Sequence, residues 1–517
     1  MSQQARSRWL VPALILSSFL FLGNYWRYLQ SSPAGGIVSG DLKVNDLNIV
    51  AEHPPFQDQV SIIPAAKFAQ IEWGISEDDS SYEIMGIGGF RSHVEVASID
   101  IKAKRTSTQQ DPPVLERLPV DFPGFSKVDL YGEPERTGIL DIPELKIEVN
   151  VAPPLPVPDA SEIVFGGATT LNRLNDSLDS IRHWAAGTGA RLVIVTPEVE
   201  LPPTNDNDST PRAPSAAEVI QAYAAAGIKL SVVESAGDWV ERYVSLLDIL
   251  PSHVRHDSTR WVGLIDDDTF FFSTRALLRT LHKYDAGLPQ WVGAHSEYAP
   301  WLWAGGLNCV GGAGVFLSIP LLAQLRGKAA DCLALSRTHG DKALSLCIYK
   351  HTTTKLSVEH GLHQLEMFGD PSGFYEAVRP QPLSAHHWKS WHWRDMAAVA
   401  RVARVCGDAC VLQSFRFADG WLMTNGYSVV RYGYSDEELA AQNEFDMEHS
   451  WDNPGDDDDD EGSWRYSLGP LRPKDRNKVQ FQLARAVEDA DRGTVTLLYV
   501  KRTKGIGEGV VQVVWRT

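Results

Sequence analysis

The chain is poor in cysteine and in positive charge, and each shortage excludes something. Five cysteines among 517 residues, with no Cys-x-x-Cys pair, argue against a zinc site. Lysine and arginine number 48 against 66 aspartates and glutamates, a net charge of −18. Sequence-independent binding to nucleic acid needs a basic surface that releases counterions, so no nucleic-acid partner is expected. There is no internal repeat, and no glycine-rich run ends in Gly-Lys-Ser/Thr, which excludes that type of phosphate loop. Long apolar runs are also scarce: the clear exception is Trp9 to Trp26, uncharged throughout.

What is present supports a folded, multi-domain chain. A hydrophobic content of 43% over this length is enough for a sizeable core and two or three domains. Trp9 to Trp26 is just long enough to span a bilayer, and Arg6 and Arg8 precede it. The positive-inside rule then gives a cytosolic tail over residues 1–8, a signal-anchor helix over 9–26 and a lumenal remainder, a single-pass type II arrangement. A cleaved signal peptide, with Ser32-Pro33-Ala34 as the cleavage region, is the rival reading. A short span suits the thin membranes of the early secretory pathway, so the expected location is the Golgi or endoplasmic reticulum membrane. In that compartment disulfides are permitted, and Cys406 with Cys410 and Cys332 with Cys347 are the candidate pairs, leaving Cys309 as a thiol. Asn175-Asp176-Ser177 and Asn207-Asp208-Ser209 have the form of glycosylation sequons. Much of the surplus acid lies in Asp456 to Glu461, which reads as a solvated loop.

Residues 27–160 mix glycine, proline and polar segments with strand-like runs such as His93 to Ala103, which reads as a stem carrying a small β element. From 161 to 403 the texture changes. Ile163 to Gly167, Arg191 to Thr196 and Lys229 to Val233 are strand-like, and helical spacing over Leu171 to Ala186, Ala216 to Ala226 and Trp239 to Leu250 separates them. Alternating strands and helices imply an α/β sheet with parallel character. Residues 404–517 return to short alternating runs, the pattern of a β-rich C-terminal domain.

The most informative stretch is Trp261-Val262-Gly263-Leu264-Ile265-Asp266-Asp267-Asp268-Thr269-Phe270-Phe271-Phe272. An apolar strand ends in three carboxylates and resumes as aromatics, which a solvated turn does not need. In open α/β sheets ligands bind outside the carboxyl ends of strands. Adjacent carboxylates there call for a hard cation, Mn²⁺ or Mg²⁺, which takes oxygen ligands. Three further stretches carry possible chemistry. The glycine-rich Gly311-Gly312-Ala313-Gly314 allows close backbone approach and supplies N–H donors. Asp341, in Gly340-Asp341-Lys342, is either a helix-start residue stabilised by the dipole or a general base held there. His386 and His387 are either hydrogen-bonded core residues or neutral imidazoles completing a mixed Asp/His metal shell.

Thr169-Thr170 with Arg182-His183-Trp184, Ile265 to Phe271, Gly312-Ala313-Gly314 with Ser318, Gly340-Asp341 and His386-His387-Trp388 occur in an order and spacing that resembles the fringe-like and β-1,3-glycosyltransferase superfamily, glycosyltransferase family 31, in its fungal and plant branch. The resemblance covers about residues 160 to 395. It implies a GT-A fold, a nucleotide-sugar donor held through Mn²⁺, in this superfamily usually a UDP-sugar, and a glycan or glycoprotein acceptor. It further implies that Asp266 and Asp268 form the Asp-x-Asp element, with Asp268 a metal ligand and Asp266 or Asp267 nearer the ribose. Thr169, Thr170, Gly312, Ala313 and Gly314 would line the donor site, and His386 or His387 would complete the metal shell, with His363 a further candidate. Asp341 would be the base of an inverting transfer. The departures are Gly340 where many members carry an acid, and Lys342 directly after Asp341, which would weaken the base if the two paired. The rival class is a lumenal carbohydrate-binding or scaffolding protein on a degenerate transferase fold. A hydrolase using Asp266 and Asp341 would need both to flank a glycosidic bond.

Overall fold

Alternation sets up the first described strand. In the computed structural model, which describes residues 90–107, 111–129, 142, 144–198, 213–298, 306–434, 445–452 and 468–517, Phe90–Arg105 forms one long strand, β1. It buries Val94, Val96, Ile99 and Ile101. Leu115–Arg117 (β2), Ser126–Asp129 (β3) and Glu144–Val151 (β4) follow. The expected tail and anchor, the Asn207 sequon and Asp456 to Glu461 lie outside the described residues. Among the described residues no helix is long and apolar enough to cross a membrane.

The next segment builds a mixed α/β sheet. Ile163–Ala168 (β5), Arg191–Pro197 (β6), Lys229–Ser235 (β7) and Trp261–Leu264 (β8) are parallel, with helices between them. β5 and β8 are buried at every position, as strands covered on both faces must be, which is why they read as continuous apolar runs. The helical spacing over Leu171 to Ala186 breaks at Ser177, whose hydroxyl donates to the Arg173 carbonyl, giving Leu171–Asp176 (α1) and Leu178–Ala185 (α2). Ala216–Ala225 (α3) and Trp239–Ile249 (α4) open on full capping boxes, Ser215 with Glu218 and Asp238 with Glu241.

After β8 come the short strand Phe270–Phe271 (β9), helix Thr274–Leu281 (α5), Trp291–Gly293 (β10), Val315–Ser318 (β11), helices Ile319–Leu325 (α6), Ala329–Leu333 (α7) and Gly340–His351 (α8), and Leu356–Val358 (β12). The sheet order is β12-β10-β11-β8-β5-β6-β7, with β11 antiparallel to both neighbours. The first strand of the unit, β5, has β6 on one side and β8 on the other. That is the switch point where a crevice opens beyond the carboxyl ends, and Thr169 and Asp266 follow those two strands there. A two-residue strand, Ser384–Ala385 (β13), pairs antiparallel with β9.

The C-terminal strands join the N-terminal ones. Ser414–Arg416 (β14), Trp421–Thr424 (β15), Ser428–Arg431 (β16), Met447–Glu448 (β17), Leu471–Arg472 (β18), Val479–Asp489 (β19), Thr494–Thr503 (β20) and Ile506–Arg516 (β21) are described. All but β17 and β18 enter a ten-stranded sheet, in which β21 runs parallel to β1. The segment read as a stem therefore contributes, from Phe90 to Val151, four strands to the sheet of the C-terminal region. From Ala97 onward β1 buries Ala97, Ile99, Ile101 and Ala103 on one face, in the same cluster as Val511, Val513 and Trp515 of β21. One hydrophobic cluster runs through both sheets, from Ile99 and Val513 to Phe165 and Phe271. Cys332–Cys347 and Cys406–Cys410 are disulfides, and Cys309 is a buried thiol.

Candidate functional site

Local sequence explains how the acidic turn is held. Phe270, Phe271 and Phe272 are completely buried, and Phe271 packs edge-on against Trp184, so β9 is fixed from behind. The turn before it closes on itself: the Thr269 amide donates to the Asp266 carbonyl at 3.1 Å, and the Asp266 amide donates to the Thr269 hydroxyl at 2.9 Å. Pairing of Ala385 with Phe270 then carries His386 to the side of the aspartates. His386 Nε2 lies 3.0 Å from Asp268 Oδ1 and 3.4 Å from Asp266 Oδ2.

Charge at this cluster is concentrated and largely out of water. Burial would lower the His386 pKa, but Asp268 and Asp266 outweigh it and push it up to about 10. Burial would raise Asp268, and the His386 charge instead holds it well below the usual carboxylate range. His387 is held well below the usual imidazole range by burial and by the His386 charge, so it is neutral. Its backbone is left-handed, φ 57°, an uncommon conformation for a side-chain-bearing residue. Ser390 bridges the pair, donating to Asp268 Oδ2 at 3.0 Å and lying 3.3 Å from His387 Nδ1.

The three aspartates divide. Asp267 accepts from the Thr169 hydroxyl at 2.9 Å, from Arg173 Nε at 3.0 Å and from Lys389 Nζ at 3.3 Å, with a side chain only 6% exposed. Both its oxygens are thus committed to protein cations and a hydroxyl. Thr169 therefore braces the turn, and Thr170 caps α1, the helix that carries Arg173, through the Arg173 amide.

The glycine loop is also used internally. The Gly312 carbonyl accepts from Thr269, Ala313 donates to Gln364 Oε1 and accepts from Ser384, and the Gly314 amide donates to the Gly311 carbonyl. The expected N–H donors for a ligand are spent on the protein at Gly311, Ala313 and Gly314. What Gly312 contributes is space: a Cβ there would overlap the His386 ring. Gly314 sits at φ 99°, which a side chain would disfavour.

Asp341 stands at the start of α8. Its oxygens accept from the Lys342 amide at 2.7 Å and the Gly311 amide at 3.4 Å. Its pKa is raised by burial, with the Asp266 charge adding to the rise. Among the described residues no ion pair joins Lys342 to Asp341. Tyr243 of α4 wedges under the same place, where a Cβ on Gly340 would strike its ring, and its buried hydroxyl has no hydrogen-bond partner among the described residues. His363 does not join the metal group: it lies 3.1 Å from Glu297, which also accepts the Gln364 and Leu365 amides. Glu366, which accepts from Ser296, completes this floor. Burial pushes its carboxyl up to about 7, opposed by the Ser296 hydrogen bond and reinforced by Glu297 and Asp341.

The donor set fits a hard or borderline cation. Asp268, His386 and His387 each offer a ligand atom, all within 4.8 Å of one another. Asp266 Oδ1, His386 Nδ1 and His387 Nε2 are buried with no hydrogen-bond partner among the described residues, a cost that coordination would remove. Sequence reasoning named these four residues and missed Ser390, Lys389, Arg173, Tyr243, Glu297 and Glu366. Lys389 and Ser390 directly follow the His386-His387-Trp388 stretch, so that segment held a signal for them.

Comparisons with known proteins follow the same region. Residues 307–403 match the family described as "Protein of unknown function, DUF604". No curated protein matches the chain. Among solved structures, the glycosyltransferase GlyE of Streptococcus pneumoniae TIGR4 is 13% identical over 37% of this chain and 45% of that one, TM-score 0.25. The mannosyltransferase PcManGT of Pyrobaculum calidifontis, solved with GDP-Man and Mn²⁺, is 13% identical over 39% of this chain and 58% of that one, TM-score 0.25. Mouse xyloside xylosyltransferase 1 is 11% identical over 39% of this chain and 85% of that one, TM-score 0.25. The chain spans about half the length of the first two. Scores at this level do not establish a shared fold.

Proposed function

We propose that the chain is a metal-dependent, inverting glycosyltransferase of the GT-A type, related to family 31, that moves a hexose or N-acetylhexosamine from a nucleotide sugar, a UDP-sugar, to a glycan or glycoprotein hydroxyl. The observation that carries this reading is the cluster of Asp268, His386 and His387, with Asp266 Oδ2 3.4 Å from His386, at the switch point of a mixed sheet, and Asp341 holding the Gly311 amide next to the Gly312 that abuts His386. The proposed setting is the lumenal side of a Golgi or endoplasmic reticulum membrane.

Asp268, His386 and His387, with Asp266 Oδ1, would hold Mn²⁺ or Mg²⁺. When bound, the ion neutralises the diphosphate that leaves the donor. Asp341 takes the proton of the acceptor hydroxyl. The oxygen's electron pair forms the bond to the anomeric carbon as the bond from that carbon to the diphosphate oxygen breaks, its pair leaving with the diphosphate, and the anomeric configuration inverts. A raised pKa makes Asp341 a stronger base than a solvated aspartate. Each of its oxygens accepts one N–H and retains a lone pair for the proton. Gly312 keeps the His386 ring in place, and Arg173 with Lys389 neutralises Asp267 so that the third acid does not add its charge to the other two.

The test incubates the full chain with a panel of nucleotide sugars and Mn²⁺ and measures nucleotide release with and without chelator. Turnover of a donor that chelator stops is expected. Asp268→Ala should lose Mn²⁺-dependent UDP binding, whereas Asp341→Asn should keep binding and lose transfer. Absence both of turnover and of Mn²⁺-dependent UDP binding would sink the reading in favour of a non-catalytic carbohydrate-binding role.

A further inference from the structure

A small cavity that none of the metal-cluster residues lines opens where the short helix Met396–Val399 meets β19. Its wall includes Arg394, Asp395, Tyr427, Gln482, Leu483 and Ala484. The strand is irregular at this point: Leu483 pairs with Tyr499 and Arg485 with Leu498, so Ala484 is the extra residue of a β-bulge, a feature common beside functional sites. The cavity volume is about 30 Å³ on the scale on which one water needs about 10–15 Å³, room for a group of two or three heavy atoms.

The wall carries a cation and a donor that the protein leaves unused. Arg394 is half-buried, and its Nε is buried with no hydrogen-bond partner among the described residues. The Tyr427 hydroxyl, on a side chain only 2% exposed, is in the same condition. The two are neighbours: the guanidinium carbon lies 5.8 Å from the Tyr427 ring centre, and its charge opposes the rise that burial causes in the Tyr427 pKa. Both are held in place, because the Arg394 amide donates to the Trp388 carbonyl at 2.8 Å and Tyr375 stacks on Tyr427 with ring centres 4.6 Å apart.

Among the described residues no ion pair joins Arg394 to a carboxylate. Asp370, whose charge reaches it, accepts the Ser372 amide at 3.0 Å and the Ser372 hydroxyl at 2.9 Å instead. Asp395 caps the helix, accepting the Ala398 amide at 2.9 Å. A guanidinium partly withdrawn from water is costly until an anion pairs it, and water would satisfy its N–H groups without neutralising it. A carboxylate does both: it is planar, small enough for the cavity, and takes the parallel N–H bonds of a guanidinium fork. A tetrahedral phosphate is bulkier.

We propose that Arg394 and Tyr427 form a binding site for a carboxylate group, the guanidinium pairing with its two oxygens and the Tyr427 hydroxyl donating to one of them. The ligand is a small carboxylic acid or the carboxylate of an acidic sugar. The site does not rest on the transfer reading.

Acetate and D-glucuronate are titrated into the full chain at neutral pH and constant ionic strength and followed by saturation-transfer NMR, with D-glucose as the uncharged counterpart and inorganic phosphate as the bulkier anion. Acetate should bind saturably, and glucose should not displace it. Displacement of acetate by glucuronate would identify an acidic sugar as the source, and its failure a small free acid. Arg394→Met, which keeps the length and removes the charge, should weaken acetate binding roughly tenfold or more, and Tyr427→Phe should weaken it by a smaller factor. Acetate should raise the melting temperature of the wild-type chain and not that of Arg394→Met. Near-UV circular dichroism checks that the variants are folded. No acetate binding by the wild-type chain would overturn the proposal and leave the cavity to water only. Unchanged acetate binding in either variant, displacement of acetate by glucose, or tighter binding of phosphate than of acetate would overturn it as well.

Discussion

Gly312→Ala isolates the geometry on which the metal cluster depends. The added Cβ would press on Cε1, Nδ1 and Nε2 of His386 together, so no small rotation of the ring relieves it. His386 is 4% exposed and its other neighbour, the His387 ring, stands 3.9 Å away, centroid to centroid. The ring must leave its place. Overpacking of this kind costs about 1–3 kcal/mol. Moving His386 away from Asp268 and Asp266 also strips two largely buried carboxylates of their cation, and breaking a buried pair costs about 3–5 kcal/mol. The second effect exceeds the first. Loss of groups that only orient a metal ligand lowers affinity roughly 10–100-fold, and loss of a ligand should do at least as much. Calorimetric titration of Mn²⁺ with UDP should therefore show at least a tenfold weaker site in Gly312→Ala, with a lowered melting temperature. Gly124→Ala is the control, because a Cβ there meets nothing within 4 Å. Adding His386→Ala to Gly312→Ala removes the clash and should recover about 1–3 kcal/mol of the lost stability. Wild-type Mn²⁺ affinity in Gly312→Ala would refute the reasoning.

Asp267→Asn should keep Mn²⁺ affinity within about threefold while lowering the melting temperature, since Arg173 and Lys389 lose a partner buried beside them; a loss of Mn²⁺ binding equal to that of Asp268→Ala would contradict the division of the triplet. Glu366 binds its proton more tightly in the folded chain, about 7 against an ordinary 4.5, so the folded state holds more protons in that window and wild-type stability falls as pH rises through it. The full effect is about 3 kcal/mol. Glu366→Gln should therefore gain on the wild type between pH 5 and pH 8 in melting temperature, and a difference that does not change with pH would disprove the assignment. Lys478 Nζ lies 3.0 Å from Glu376 and 2.7 Å from Glu448, three side chains nearly out of solvent. Lys478→Met should cost about 3–5 kcal/mol at neutral pH in urea unfolding. The deficit should shrink in acid and in Lys478→Met with Glu376→Gln and Glu448→Gln; an equal deficit in the triple variant would remove the electrostatic explanation.

The parts of the site visible in the sequence are those whose local pattern is itself unusual. Three acids between an apolar strand and three phenylalanines cannot be an ordinary surface turn, and the structure buries all three rings behind them. The parts that were hidden depend on contacts far apart in the chain. Strand β13 has two residues, too few for any period, yet its pairing with β9 is what brings His386 to Asp268. Asp267 was indistinguishable from its neighbours in sequence because a turn sends consecutive side chains in different directions, and only the fold shows that Arg173 and Lys389 receive it. The glycine loop misled for a related reason: spacing reveals backbone freedom but not whether the amides are spent within the protein, as those of Gly311, Ala313 and Gly314 are. The stem reading included the strand-like run His93 to Ala103, but not that this strand, β1, pairs with the last strand of the chain. These cases share one cause. Residue type and spacing report what a segment can do locally, whereas whether a carboxylate holds a metal, braces a turn or takes a proton is decided by which cations and amides reach it first, and those come from Arg173, Lys389, His386 and the start of α8.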